Sequence, residues 1–218
     1  MVLLMASIVA FGQVNDFSPQ GPAFAPVVDQ PGLPRVLLIG DSISIGYTVT
    51  VQKALAGQAN VHRIPENGAD TTNGLKKIES WLGGSHWDVI HFNWGLHDLK
   101  ITPPGERQVS IEAYEKNLAA LVERLKTTGA QLIWATTTPV PEGKQNPVRE
   151  SSDVPKYNAV ARRLMESHDI VTDDLYAAAL PRLAEIQLPL NVHFNNAGWE
   201  SLGSEVAAAI RAALNSKR

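Results

Sequence analysis

From residue 35 onward, short uninterrupted apolar runs alternate with longer segments whose apolar positions fall three and four apart. The runs are RVLLIG (35–40), NVHRI (60–64), WDVIHFNW (87–94), AQLIWATTT (130–138) and DIVTDDL (169–175). Continuous rather than alternating apolar residues predict strands covered on both faces. Segment 109–127 places Ile111, Tyr114, Leu118, Leu121, Val122 and Leu125 on one helical stripe, and Gly129 follows as a stop. Tyr157, Val160, Ala161, Leu164 and Met165 repeat the stripe over 153–167. A last helix from Ala197 buries Leu202, Val206, Ala209, Ile210 and Leu214. Its acidic residues lie early and its basic residues late, which suits the helix dipole. Repeated βα units require parallel strands and crossover helices. The expected fold is therefore α/β, a three-layer α/β/α sandwich with about five parallel strands. No internal repeat and no second domain interrupts residues 35–218.

The N-terminal part breaks this rhythm. Residues 1–13, MVLLMASIVAFGQ, form an apolar run too short to span a bilayer. The run resembles the apolar region of a secretory signal, although a basic stretch before it is missing. It predicts a secreted or periplasmic location; the alternative is an N-terminal tail. Residues 15–35 are rich in Pro and Gly and read as an extended leader lying over the domain. Composition narrows the partners. The chain has 218 residues, 44% hydrophobic and 19% charged, enough for one full core. A net charge of −3 with no long Lys/Arg run makes nucleic acid an unexpected partner. The chain has no cysteine, which excludes disulfides, thiolate nucleophiles and zinc ribbons.

In such folds ligands bind beyond the carboxyl ends of the strands. Those positions hold Gly40-Asp41-Ser42, then PENGADTTNG with Gly68, then Trp94-Gly95-Leu96-His97-Asp98, then TTTPVPEG. NVHFNNAG, with His193, precedes the last helix. Taken alone, Ser42 reads first as a cap at a strand-to-helix turn. The convergence of a histidine and several hydrogen-bond donors on the same sheet edge favours chemistry. Acyl transfer from an ester needs a nucleophile, a base and donors for the developing oxyanion. Ser42 at a helix N-terminus is the candidate nucleophile, and His193 the candidate base. Gly68 offers a backbone N–H that no Cβ obstructs.

GDSIS, the glycine of NGADTTNG, GLHD and NVHF resemble, in order and spacing, the blocks of the SGNH (GDSL) hydrolase superfamily. The resemblance spans about residues 35–214 and implies a flavodoxin-like fold and serine esterase or acylhydrolase activity without a cofactor or metal. By position it implies that Ser42 is the nucleophile and His193 the base. Ser42, Gly68 and His97 would form the oxyanion hole. Two departures stand out. His97 occupies the place of the family's asparagine donor, with Asn93 nearby as a substitute. Leu190 occupies the place of the aspartate three residues before the histidine. The second departure predicts a Ser–His dyad whose ring is oriented by a main-chain carbonyl or by Asn191. Asp41 and Asp98 stand beside the motifs as possible supports. The WGLHDL variant resembles a subgroup of predicted secreted members that look like carbohydrate deacetylases.

Remaining candidates have plainer readings. Trp81, Trp87 and Trp134 read as packing, while Trp94 and Trp199 are best placed for a cleft. A metal site from His91, His97, Asp98 and His193 is not expected, because no HExxH-like spacing exists and His91 alternates within a strand. Asp173 and Asp174 read as caps before LYAAAL, with a remote carboxylate as the alternative. The expected partner is a small-molecule or glycan ester, with no stable membrane span. The leading expectation is removal of small acyl groups, acetyl first, from a carbohydrate. The alternatives are a lipid or thioester acylhydrolase, an acyltransferase, and a non-catalytic glycan-binding module with a degenerate site.

Overall fold

A computed structural model describes residues 17–143 and 145–216. The apolar run expected to direct export lies outside the described residues. Strand β1 (Arg35–Ile39) turns through Gly40 and Asp41 into helix α1 (Ser42–Ala54), and β2 (Asn60–Arg63) is followed by α2 (Thr71–Leu82). After β3 (Val89–Phe92) the chain makes a small hairpin, β4 (Ile101–Thr102) with β5 (Glu106–Arg107), before α3 (Ile111–Lys126). Next come β6 (Gln131–Ala135), α4 (Asp153–Ser167), β7 (Val171–Asp173) and the short helices α5 (Leu175–Ala179) and α6 (Leu183–Ile186). Helix α7 (Asn196–Ser216) closes the fold.

The main sheet runs β2-β1-β3-β6-β7, and every pairing in it is parallel. This is the flavodoxin-like order, and it reverses between β1 and β3. A crevice forms there because consecutive connections leave in opposite directions. Val36, Leu38 and Ile39 of β1 are fully buried, as are Val89, Ile90 and Phe92 of β3. Each such side chain contributes about 1.5–3 kcal/mol relative to exposure. Helix α1 packs on α7, while α2, α3 and α4 pack in a row, giving the outer layers. The α1–α7 crossing is close because Gly46 faces Trp199 and Gly203 faces Thr50.

Several helix starts are fixed by the side chains that the sequence puts before them. Asp41, Asp70, Ser110 and Asp174 each accept a first-turn N–H of α1, α2, α3 and α5 respectively. Asp174 therefore caps, as expected, whereas Asp173 turns inward to His91. Strands are shorter than their apolar runs. Past the strand ends, the Asn93 amide donates to the Ala135 carbonyl, the Thr136 hydroxyl to Asp174, and the Thr137 N–H to Asn158 Oδ1. The hairpin was not anticipated, because two residues per strand carry no periodic signal. The leader is tied to β2, the edge strand, through the Asn60 and His62 side chains. Asn60 accepts from the Gln30 N–H and donates to the Gln30 and Leu33 carbonyls. Asp29 pairs with Arg35 at 2.8 Å and His62 at 2.6 Å. No described helix is long and apolar enough to cross a membrane.

Candidate active site

At the β1–α1 turn, capping and chemistry fall to different residues. Asp41 is the N-cap, and its Oδ1 accepts the Ile43 N–H at 2.9 Å. Ser42 is the first helical residue, so its hydroxyl is not committed to the cap. Its Oγ lies 2.8 Å from Nε2 of His193. A neutral His193 with its proton on Nδ1 accepts the serine O–H in this geometry. Burial holds the His193 pKa below the usual histidine value, against an opposing pull from Asp41. The ring is thus neutral at pH 7, as a base must be.

His193 is held through its main chain and its faces. Asn191 Oδ1 accepts the His193 N–H at 3.0 Å, and the His193 carbonyl accepts from Leu188. Phe17 of the leader stacks on the imidazole with ring centroids 4.9 Å apart. Trp199 lies behind at 6.4 Å. Among the described residues, no carboxylate comes within ion-pair range of the His193 ring. Among the described residues neither expected partner of Nδ1, a main-chain carbonyl or Asn191, bonds the ring; the Asn191 side chain closes the tight turn at residues 191–193 instead.

Three donors were expected opposite the serine, and they fare differently. The Ser42 N–H, in the first turn of α1, has no acceptor among the described residues. His97 lines the same cleft as Ser42 and His193. Its Nδ1 lies 2.8 Å from the Lys100 ammonium, and burial lowers its pKa. An ammonium only donates, so the neutral ring carries its proton on Nε2. That nitrogen stands 4.0 Å from Asp41 Oδ2, beyond hydrogen-bond range, and is available as a donor. Gly68 departs from expectation: its N–H donates to the Gly40 carbonyl at 3.0 Å. The glycine is needed for close approach, since a Cβ there would sit 2.9 Å from that oxygen. The next N–H, of Ala69 at a φ of 51°, goes to Asn67 Oδ1.

The other candidates lie away from the cleft. Asn93 gives its amide to the Ala135 carbonyl at 2.7 Å and ties β3 to β6, so it is not an oxyanion donor. Asp98 is fully buried and accepts from both the N–H and hydroxyl of Thr71, which locks the GLHD loop to the start of α2. Burial raises its pKa to about 7. His91 is fully buried and bonds Asp173 at 3.0 Å inside the sheet. Trp94 is a packing residue, pressed on Gly74 and absent from the cleft lining. Trp199 is buried and backs the histidine.

The cleft encloses about 340 Å³, within the small-molecule range. Its lining includes residues that sequence reasoning missed, notably Phe17, Asn67, Lys100, Gln145 and Arg149. They come from loops and the leader, where no period marks an inward-facing position. Only Asn67, which opens NGADTTNG, and Lys100, directly after WGLHDL, stood close to a motif.

With this geometry in hand, residues 38–200 match the sequence profile of the GDSL-like lipase/acylhydrolase family. The chain belongs to that family. This GDSL-family chain is accordingly a carboxylic ester hydrolase. No curated protein matches it by sequence. Its fold is shared with the acetyl xylan esterase AlAXEase at a TM-score of 0.69 and 19% identity, over 81% of this chain and 99% of that one. A lipase/acylhydrolase from Enterococcus faecalis gives a TM-score of 0.69 at 21% identity, over 83% and 96%. Axe2, an acetylxylan esterase from Geobacillus stearothermophilus, gives 0.67 at 20%, over 81% and 94%.

Proposed function

We propose that this GDSL-family hydrolase is a serine esterase that removes acetyl or similarly small acyl groups from a carbohydrate, with Ser42 as nucleophile and His193 as general base. The carrying observation is the 2.8 Å contact between Ser42 Oγ and His193 Nε2 at the wall of the cleft. The sugar ester as substrate is supported by the names of two structural relatives, both acetyl xylan esterases.

The chemistry follows from the placement. Ser42 Oγ attacks the ester carbonyl carbon while its proton passes to His193 Nε2. The tetrahedral oxyanion accepts from the Ser42 N–H and from His97 Nε2–H. The intermediate collapses, the sugar hydroxyl leaves with the proton from His193, and an acyl-serine remains. Water then attacks this ester, His193 takes the water proton, and the carboxylic acid departs as Ser42 regains its proton. Among the described residues, no carboxylate supports the imidazolium from behind. Orientation falls to the Asn191 turn and the Phe17 stack, which is compatible with catalysis because donors and binding retain part of the rate when a triad member is missing.

A fluorophosphonate probe tests the assignment. The native chain should be labelled on the peptide that holds Ser42 and should release acetate from acetylated xylo-oligosaccharides. Ser42→Ala should lose both activities with an unchanged melting temperature, because Asp41 keeps the helix cap. Persistent labelling or most of the native rate in that variant would exclude the serine mechanism.

A further inference from the structure

Among the described residues, two cations face the cleft without a carboxylate ion partner. The described residues of the lining include Lys100 and Arg149 and no aspartate or glutamate. Neither cation forms a carboxylate ion pair among the described residues. Arg149 is 6% exposed. Its Nε donates to the Leu96 carbonyl at 2.8 Å and its Nη1 to the Pro147 carbonyl at 3.2 Å, which fixes the guanidinium plane. Nη2 has no partner among the described residues. Lys100 spends one N–H on His97 and keeps two more. Burial lowers the pKa of both groups, and the Arg149 charge lowers that of Lys100 further.

Buried cations without partners are unfavourable, and fixed ones more so, because relaxation cannot relieve them. The described carboxylates that act on these cations, Asp41, Asp70 and Asp98, do not remove the imbalance. Asp41 attracts both cations only at a distance and is bonded to the Ile43 N–H. Asp70 holds Gln108 and the Asn73 N–H, and Asp98 sits buried under Thr71. All three stand outside the lining. The missing counter-charge would arrive with the substrate.

We propose that the alcohol part of the ester carries an oxyanion group, a carboxylate or a phosphate, seated between Lys100 Nζ and the Arg149 guanidinium. The substrate class is then an O-acylated acidic sugar rather than a neutral one. This rests on the esterase reading for the ester, but the cation pair concerns only the binding of the sugar. A planar fixed guanidinium beside a mobile ammonium suits an oxyanion group, since the guanidinium offers directed N–H donors and the ammonium a point charge. The same two groups lie on the His97 side of the cleft, so an anion there would place the neighbouring ester towards Ser42.

Three monoacetates that differ only at C6 test this: methyl glucoside, methyl glucuronide and methyl glucoside 6-phosphate. The full-length chain should show kcat/KM at least about tenfold higher for one or both charged esters, a gap of about 1.4 kcal/mol. Which of the two leads names the group. In Lys100→Gln, whose amide still donates to His97, the charged-to-neutral ratio should fall at least severalfold; in Lys100→Glu it should invert. Ratios within one variant cancel any damage to shared machinery. Calorimetric binding of the deacetylated sugars by the Ser42→Ala chain supplies a readout free of turnover. Equal binding and equal kcat/KM across the three would overturn the proposal while leaving the esterase reading intact. Selective binding of the charged sugars with no hydrolysis of any ester would do the reverse.

Discussion

One imidazole proton decides whether the Ser42 hydroxyl is activated. His193 accepts the serine proton only as the free base, and burial lowers its pKa from the ordinary value. A lowered value keeps the free base populated at more acid pH. The acid limb of kcat/KM should therefore have its midpoint below about 6.5, the unperturbed histidine value. A pH–rate profile on p-nitrophenyl acetate checks this, and a midpoint above 7 would contradict the environment described for the ring. At this scale the sequence announces Ser42, His193 and His97 through motif position, and the structure brings all three to one cleft. It does not announce Arg149 or Phe17, because inward orientation on a loop has no period. Gly68 was legible as an indispensable glycine but not in its purpose: close backbone packing on Gly40 and provision of a free N–H need the same residue type.

At the level of elements, the contact between α1 and α7 links the nucleophile to the base. A Cβ on Gly46 would come within 2.4 Å of the Trp199 ring, which is buried and backs His193. Gly46→Ala should therefore destabilise the chain by about 1–3 kcal/mol through overpacking. In a chain of this size that lowers the melting temperature by about 2–4 °C for each kcal/mol. It should also lower kcat at temperatures where the variant remains folded, because the histidine shifts with Trp199. Thermal melting and kinetics at 20 °C measure the two effects. A stable variant with native kcat would show that this crossing does not position the site. Helices α3, α4 and α7 were legible because each carries a long apolar stripe. The β4–β5 hairpin and helices α5 and α6 were not, since elements of two to five residues owe their shape to loop packing.

Over the whole molecule, five apolar runs were enough to read a parallel sheet, and the position of polar clusters after them located the crevice. The leader's course was only partly legible: its Pro and Gly content marks it as extended, whereas its hold on β2 through Asn60 depends on tertiary geometry. The bond between Ser42 and His193 joins positions 151 residues apart. Much of the chain must therefore be in place before a base faces the nucleophile. Closing so long a loop is entropically expensive, and contacts at such separation tend to form late. Activity then acts as a clock for the last stage of folding. On dilution from denaturant, ester hydrolysis should return with the slowest phase of tryptophan fluorescence recovery and never ahead of it; earlier return would mean that α7 docks on α1 before the sheet is complete. A nascent or clipped chain that ends before His193 has no base to face its serine, so an unfinished copy of this hydrolase is silent towards the esters around it.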